Sequence, residues 1–120
     1  MPPARRTDPA AGRAALGLWR ADPLSLDRET CATAVRFTLE QLAASAPGHA
    51  LEVRVPPYGV TQCLPGPRHT RGTPPSIVET DADTWLALAT GELAWARAVQ
   101  SGAVRASGER ADLSPHLPLS

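Results

Sequence analysis

A short segment of alternating residues constrains the fold of this chain more than any other feature. In residues 51–55 (Leu-Glu-Val-Arg-Val) apolar and charged side chains alternate, which is the period of a β-strand with one face in a core. Residues 56–59 (Pro-Pro-Tyr-Gly) are typical of a turn, so residues 60–64 are predicted to return as the second strand of a hairpin. Two more short strands are predicted at residues 76–80 and 103–107. These four strands therefore predict a β-sheet with one face covered by other elements.

Four helices are predicted to cover that face. Asp8 and Asp81 are expected to cap the first and third helices, and Gly91 and Gly102 to end the last two. The second helix is predicted to start near Asp27 or Arg28. The second helix, which ends before residue 47, carries apolar residues on two faces, whereas a surface helix needs only one. We expect this helix to be buried between layers or to line a cavity.

The order of the elements predicts the fold class. Two helices precede three strands, and two more helices precede a fourth strand, so helices and strands do not alternate as in a doubly wound nucleotide-binding fold. This order indicates an α/β protein of the α+β type, with a mixed, largely antiparallel sheet and helices packed on one face. A length of 120 residues suits one domain. Residues 1–7, charged and rich in proline, are predicted to be a disordered leader before a single domain at residues 8–118.

Composition and charge exclude several classes of partner. Twelve acidic residues balance twelve basic ones, while a nucleic-acid-binding domain usually has a basic excess, so no nucleic-acid partner is expected. All twelve basic residues are arginine, which we attribute to the codon bias of a GC-rich bacterial genome. No stretch approaches the ~20 apolar residues of a membrane span, and no signal-peptide pattern is present. A cytoplasmic location with both cysteines reduced is expected.

Motifs for nucleotide or metal chemistry are missing from the sequence. It contains neither of the glycine-rich phosphate-binding patterns, nor the paired cysteine, paired histidine or calcium-loop spacings of common metal sites. The three histidines, His49, His69 and His116, lie far apart in the sequence and are interpreted as solvated. We therefore predict no cofactor and no metal site.

Cys63 is the one candidate nucleophile. It lies on a predicted strand, six residues before His69 and close to Arg68 and Arg71, whose charges would lower the pKa of a thiol. A catalytic cysteine also needs a third group that orients the histidine, and none is evident. The favoured alternative is a buried strand cysteine that acts as a small apolar side chain, and Cys31 on the apolar stripe of the second helix is interpreted in the same way.

The Gly-Pro-Arg-His-Thr-Arg-Gly-Thr-Pro-Pro segment after the second predicted strand is the least ordinary part of the chain. Arg68, His69 and Arg71 form a cationic cluster on a turn that proline stiffens. Such a turn can hold a carboxylate or a phosphate through bidentate arginine contacts. In the structural alternative, which we weigh slightly higher, Arg68 or Arg71 pairs with Glu79 or Asp81 and fixes the loop.

Residues 78–111 follow a distinctive order of elements. A strand leads into a helix that begins with an acidic residue, and a Leu-Ala-x-Gly-x-Leu turn, a short helix, a glycine, a strand and a second glycine follow. The residues in these places are Leu88, Ala89, Gly91, Leu93, Gly102, Val104 and Gly108. This pattern resembles the closing half of the sterol-carrier-protein family. The segments ATAVRFTLEQLAASAPG and GPRHTRGTPP are similar to a bacterial branch of that family, so the resemblance covers about residues 8–118.

The resemblance implies a sheet of about five strands, with an apolar cavity between sheet and helices that binds a lipid, an acyl chain or another apolar or amphipathic molecule without catalysis. Large apolar side chains on the helices are expected to form the cavity wall, and the loop cations to meet a polar head group. The wall residues are Val35, Leu39, Trp85, Leu88, Trp95 and Val99, and the head-group residues are Arg68, His69 and Arg71. The alternatives are an accessory or protein-interaction domain without a ligand, and a thiol-dependent enzyme that uses Cys63.

Overall fold

The computed structural model describes residues 6–66 and 76–119. Its α-helices are α1 (Pro9–Ala21), α2 (Arg28–Ser45), α3 (Ala82–Thr90) and α4 (Trp95–Ser101). The carboxylates of Asp8, Asp27 and Asp81 each accept a hydrogen bond from the backbone N–H three residues later, at 3.2, 2.7 and 2.8 Å. Gly91 and Gly102 end α3 and α4 in the left-handed conformation, with φ of 84° and 82°. The helix starts and ends predicted from these residues are confirmed.

The sheet has the strand order β2-β1-β3-β4. Its strands are β1 (Leu51–Val55), β2 (Gly59–Cys63), β3 (Ser76–Thr80) and β4 (Val104–Ser107). The pair β1–β3 is parallel and the two outer pairs are antiparallel. Val53 lies between Thr61 and Val78 on the buried face, while Arg54 lies on the exposed face. The α+β class, the mixed and largely antiparallel sheet and the single covered face are all confirmed.

The number of strands differs from the expected five, because the described residues form four. Two stretches outside these four strands come into question for a fifth, residues 68–73 and the tail. The first lies outside the described residues. The tail forms a 3-10 turn at Ser114–His116, and Pro115 and Pro118 lack the N–H group that a strand ladder requires.

The start of the chain also falls partly outside the described residues. Of the expected leader, residues 1–5 are not described. The backbone N–H groups of Arg6 and Thr7 donate hydrogen bonds to one carboxylate oxygen of Glu40 on α2, at 3.2 and 3.0 Å. The Thr7 hydroxyl donates to the other carboxylate oxygen at 3.0 Å. Glu40 therefore holds the segment that leads into α1 against α2.

Helix α2 lies between α1 and the sheet. It contacts α1, α3 and β2. On the α1 side the two helices approach so closely that any Cβ at Gly12 would overlap the ring of Phe37. On the sheet side Leu39 lies next to Gly59 of β2 and is 3% exposed. The prediction that this helix is buried between layers is confirmed, and it explains the apolar residues on two of its faces.

Two tryptophans connect the helices through hydrogen bonds. The Trp85 indole N–H of α3 donates to the Thr38 hydroxyl of α2 at 2.8 Å, and that hydroxyl donates to the Ala34 carbonyl at 2.8 Å. The Trp19 indole N–H of α1 donates to the Asp83 carboxylate at 3.1 Å. These polar groups gain a partner at sites that water reaches poorly, which avoids the cost of an unpaired buried donor.

Candidate functional site

The six residues of the predicted cavity wall lie in two different environments. Val35, Leu39, Trp85 and Leu88 belong to the core and are at most 3% exposed. Trp95 is partly exposed and Val99 is 41% exposed, both on α4 at the edge of the fold. The structure brings the first four together in one apolar cluster. It leaves Val99 at the surface.

The three predicted head-group residues, Arg68, His69 and Arg71, lie outside the described residues. The carboxylates proposed as their structural partners are described. Asp81 caps α3, and its two oxygens accept hydrogen bonds from the backbone N–H and the hydroxyl of Thr84 at 2.8 and 3.1 Å. Glu79 lies on the sheet face opposite the helices, where it is partly exposed.

A groove lies on the outside of the helical layer. It has a volume of about 710 Å³ and lies where α1, α2, α3 and the C-terminal segment meet. We call it the α1 groove. Its lining residues are Pro9, Arg13, Leu16, Gly17, Arg20, Phe37, Thr38, Gln41, Ala89, Thr90, Pro118 and Leu119. Known small-molecule sites cover ~300–1,000 Å³, so this volume suits a ligand of ordinary size.

One face of α1 forms the long wall of the groove. Leu16 and Gly17 follow Arg13 by three and four residues and precede Arg20 by four and three, which places all four on one face of the helix. Leu16 is partly buried and packs against the core cluster. Gly17 lies between the two arginines, and a Cβ at this position would have nothing within 4 Å. The missing side chain at Gly17 therefore keeps the middle of the wall open.

Phe37 and Ala89 form an apolar floor, and the rest of the lining opposite α1 includes the polar side chains of Thr38, Gln41 and Thr90. Phe37 and Ala89 are 5% and 3% exposed. The backbone N–H of Leu119 donates to the Ala89 carbonyl at 2.9 Å, and Leu113, which is fully buried, anchors the same segment. The C-terminal segment is thereby fixed on α3, and Pro118 and Leu119 close one side of the groove.

The ionisable residues of the α1 groove all carry positive charge. Arg13 and Arg20 line it, and no aspartate or glutamate is among its lining residues. Both arginines are exposed, and neither forms an ion pair with any residue in the described part of the chain. Three further grooves of the described surface each include a glutamate, either Glu40 or Glu52. The α1 groove is thus positively charged in a chain whose net charge is zero.

The two cysteines are free thiols. Cys63 is fully buried on β2, and burial raises the pKa of its thiol to about 11. The partly buried Cys31 also has a raised pKa, again mainly because of desolvation. At neutral pH both side chains are therefore in the thiol form, which is the weak nucleophile. These environments favour the interpretation of both cysteines as packing residues over a thiol-dependent mechanism.

The described residues contain neither a cluster of metal ligands nor a membrane-spanning helix. Within residues 6–66 and 76–119, no three histidine, cysteine, aspartate or glutamate side chains are grouped so that they would hold a metal ion. His49 instead shares a hydrogen bond with Gln62 at 2.6 Å. None of the helices in these two segments is long and apolar enough to cross a bilayer.

Comparison with protein families supports the resemblance noted in the sequence. A family model described as the bacterial SCP ortholog, the bacterial counterpart of the sterol carrier protein, matches residues 27–119. The chain belongs to this bacterial SCP ortholog family. No match was found among the curated proteins.

The family match divides the groove into two parts. It begins at Asp27, the N-cap of α2, and reaches Leu119, so it includes the floor and the tail wall contributed by α2, α3 and the C-terminal segment. The wall formed by α1 precedes the matched residues. In this bacterial SCP ortholog the first helix therefore completes a groove whose other walls belong to the matched range.

The α1 groove was missed in the sequence analysis. The available signal was the row of Arg13, Leu16, Gly17 and Arg20 at helical spacing, with a glycine between two cations. The row alone does not reveal which surface faces it, because Ala89 and Leu119 come from distant parts of the chain. The family resemblance implied a ligand cavity on the core side of α2 and α3 instead.

Proposed function

We propose that this protein is a non-catalytic carrier that binds the apolar part of an amphipathic small molecule in the α1 groove. The observation that carries the proposal is a groove of about 710 Å³ with an apolar floor, built on a bacterial SCP ortholog fold. An alkyl chain that lies on Phe37, Leu16 and Leu119 would leave water, and each buried methylene contributes roughly 0.8 kcal/mol. A lipid or acyl chain is the class of ligand that fits this surface.

The absence of a catalytic role is part of the proposal. It is supported by the raised pKa of Cys63, about 11, which keeps the thiol protonated at neutral pH. A cytoplasmic location is proposed as well, and it is supported by the free state of Cys31 and Cys63, since reducing compartments keep thiols unbridged. Residues 8–118 are proposed to act as one binding domain.

The ligand position predicted from the sequence remains a second possibility within the same function. A chain bound between helices and sheet would contact Val35, Leu39, Trp85 and Leu88, while Trp95 and Val99 would flank it and Arg68, His69 and Arg71 would meet its head group. We favour the α1 groove because Trp85 and Leu88 are at most 1% exposed and packed in the core cluster. A ligand there would have to displace their contacts.

Titration with a neutral probe tests the proposal. We expect 1-octanol to shift the amide NMR signals of Leu16, Gly17 and Ala89 in the intact chain. The Gly17→Leu variant fills the groove at a position where a Cβ meets no atom within 4 Å, so the variant should fold and lose these shifts. Ala14→Leu adds a side chain to an exposed position of α1 outside the groove and should bind octanol like the parent.

Two results would contradict the proposal. If octanol does not bind, the carrier function is wrong and the accessory or protein-interaction domain takes its place. If octanol binds equally well to Gly17→Leu and shifts Leu88 instead, the ligand lies between helices and sheet.

A further inference from the structure

We infer that Arg13 and Arg20 make the α1 groove selective for amphipathic molecules with an anionic head group, a carboxylate or a phosphate. This inference rests on the proposed function, because it assigns the polar end of a molecule whose apolar end lies in the same groove. It concerns residues of α1, the helix that precedes the range matched by the family.

The local charge of the α1 groove favours an anionic head group. The groove contains two arginines and no carboxylate among its lining residues, although acidic and basic residues are equal in number in the whole chain. Neither arginine forms an ion pair with another described residue. Within residues 6–66 and 76–119, an incoming anion therefore has no carboxylate to displace from either arginine. A guanidinium binds carboxylates and phosphates with two parallel hydrogen bonds, which gives geometric selectivity as well as attraction.

The spacing of Arg13 and Arg20 along α1 allows both to contact one anion. Arg13 and Arg20 are seven residues apart, which is close to two helical turns and about 10 Å along the axis of α1. Each arginine side chain is long enough to span half of this distance, so both can reach one anion placed between them. That place lies over Gly17, where no side chain occupies the space. The two guanidinium groups and the open space over Gly17 together form a binding position for one head group.

The arrangement of polar and apolar surface in the groove favours an amphipathic molecule. Leu16 lies in the same row and packs against the core cluster, while Phe37 and Ala89 form a nearly buried floor. The cations are on the exposed wall. A molecule with its alkyl chain along Leu16 and the floor and its charge at the wall contacts both surfaces at once, whereas a free inorganic anion contacts only the cations.

The experiment compares four probes of matched structure by NMR titration of the full chain. Octanoate, octyl phosphate and 1-octanol share the same alkyl chain and differ in head group, and inorganic phosphate has no chain. We expect both anionic amphiphiles to bind at least about five-fold more tightly than octanol, the ratio expected for one or two solvent-exposed charge contacts. Raising the salt concentration should reduce this ratio by screening, and leave octanol binding unchanged.

Two double variants assign the effect to the groove. In Arg13→Gln/Arg20→Gln the ratio of the affinity for octanoate or octyl phosphate to the affinity of the same variant for octanol should fall to about one. The control Arg28→Gln/Arg97→Gln removes the same charge from exposed positions that do not line the groove and should keep the full ratio. Amide signals on α1 show whether each variant retains its fold.

Each other outcome overturns the inference in a distinguishable way. Equal binding of octanol and octanoate refutes the head-group assignment and leaves the carrier function standing. A ratio that falls equally in the control variant refutes the assignment to Arg13 and Arg20, since total charge would then explain it. If inorganic phosphate binds as tightly as octyl phosphate, the groove is a simple anion site and the alkyl chain of the ligand has no role. Failure of all three amphiphiles refutes the carrier function and this inference together.

Discussion

Replacing Thr38 by valine removes the hydrogen-bond acceptor of a buried tryptophan. The Trp85 indole N–H donates to the Thr38 hydroxyl at 2.8 Å, and the two residues are 0% and 1% exposed. Valine has nearly the same shape, so packing is kept while the indole N–H loses its partner. An unpaired buried donor costs roughly 1–3 kcal/mol. We therefore expect Thr38→Val to lower the free energy of unfolding by about 2 kcal/mol and Tm by about 8 °C.

The assay is urea denaturation followed by circular dichroism. The matched control is Thr33→Val on the same helix, because the Thr33 hydroxyl donates to the Glu29 carbonyl at 3.0 Å and receives no hydrogen bond from a described side chain. We expect this control to change the free energy of unfolding by less than about 0.5 kcal/mol. If Thr38→Val costs no more than Thr33→Val, the indole contact does not stabilise the junction of α2 and α3.

Three further predictions concern stability. Gly17→Ala should raise the free energy of unfolding by about 0.5–1 kcal/mol, because alanine is the better helix former and its Cβ meets no neighbour; a lower Tm would contradict this. Gly108→Ala should destabilise the protein by at least about 1 kcal/mol, since φ is +98° and a Cβ would lie 2.6 Å from Cα of Ser76; an unchanged urea midpoint would show that the turn can relax. Because burial raises the pKa of Cys63 from 9.0 to about 11, the native state binds the thiol proton more tightly than the unfolded state does, so the contribution of Cys63 to stability should be constant below about pH 8 and fall between pH 9 and 11. Cys63→Ala should reduce that fall to the part contributed by Cys31, whose thiol pKa burial also raises, and an equal pH dependence in both proteins would exclude Cys63 as a source.

Features that depend on neighbouring residues along the chain could be predicted from the sequence. The alternation in residues 51–55 requires one buried and one exposed face, and the structure has both. Asp8, Asp27 and Asp81 cap helices because the carboxylate reaches an N–H group only three residues later. Each of these signals needs no information from distant parts of the chain.

Features that depend on tertiary packing could not be predicted in the same way. Trp95 and Val99 have the spacing of a buried helix face, yet α4 lies at the edge of the fold and Val99 is 41% exposed. Helical periodicity identifies a row of apolar residues but not the depth of the layer that covers it. The α1 groove depends on a contact between Gly12 and Phe37 that sets the distance between two helices, and no local pattern encodes that distance.

The most direct test of the carrier function is the position of a bound alkyl chain. Isotope-edited NOE spectra of the intact protein with 1-octanol report which side chains lie next to the ligand methylenes. We expect contacts with the methyl groups of Leu16 and Leu119 and with the ring of Phe37, and their loss in Gly17→Leu. Contacts with Leu88 in place of these, or none in a sample where octanol is bound, would contradict it.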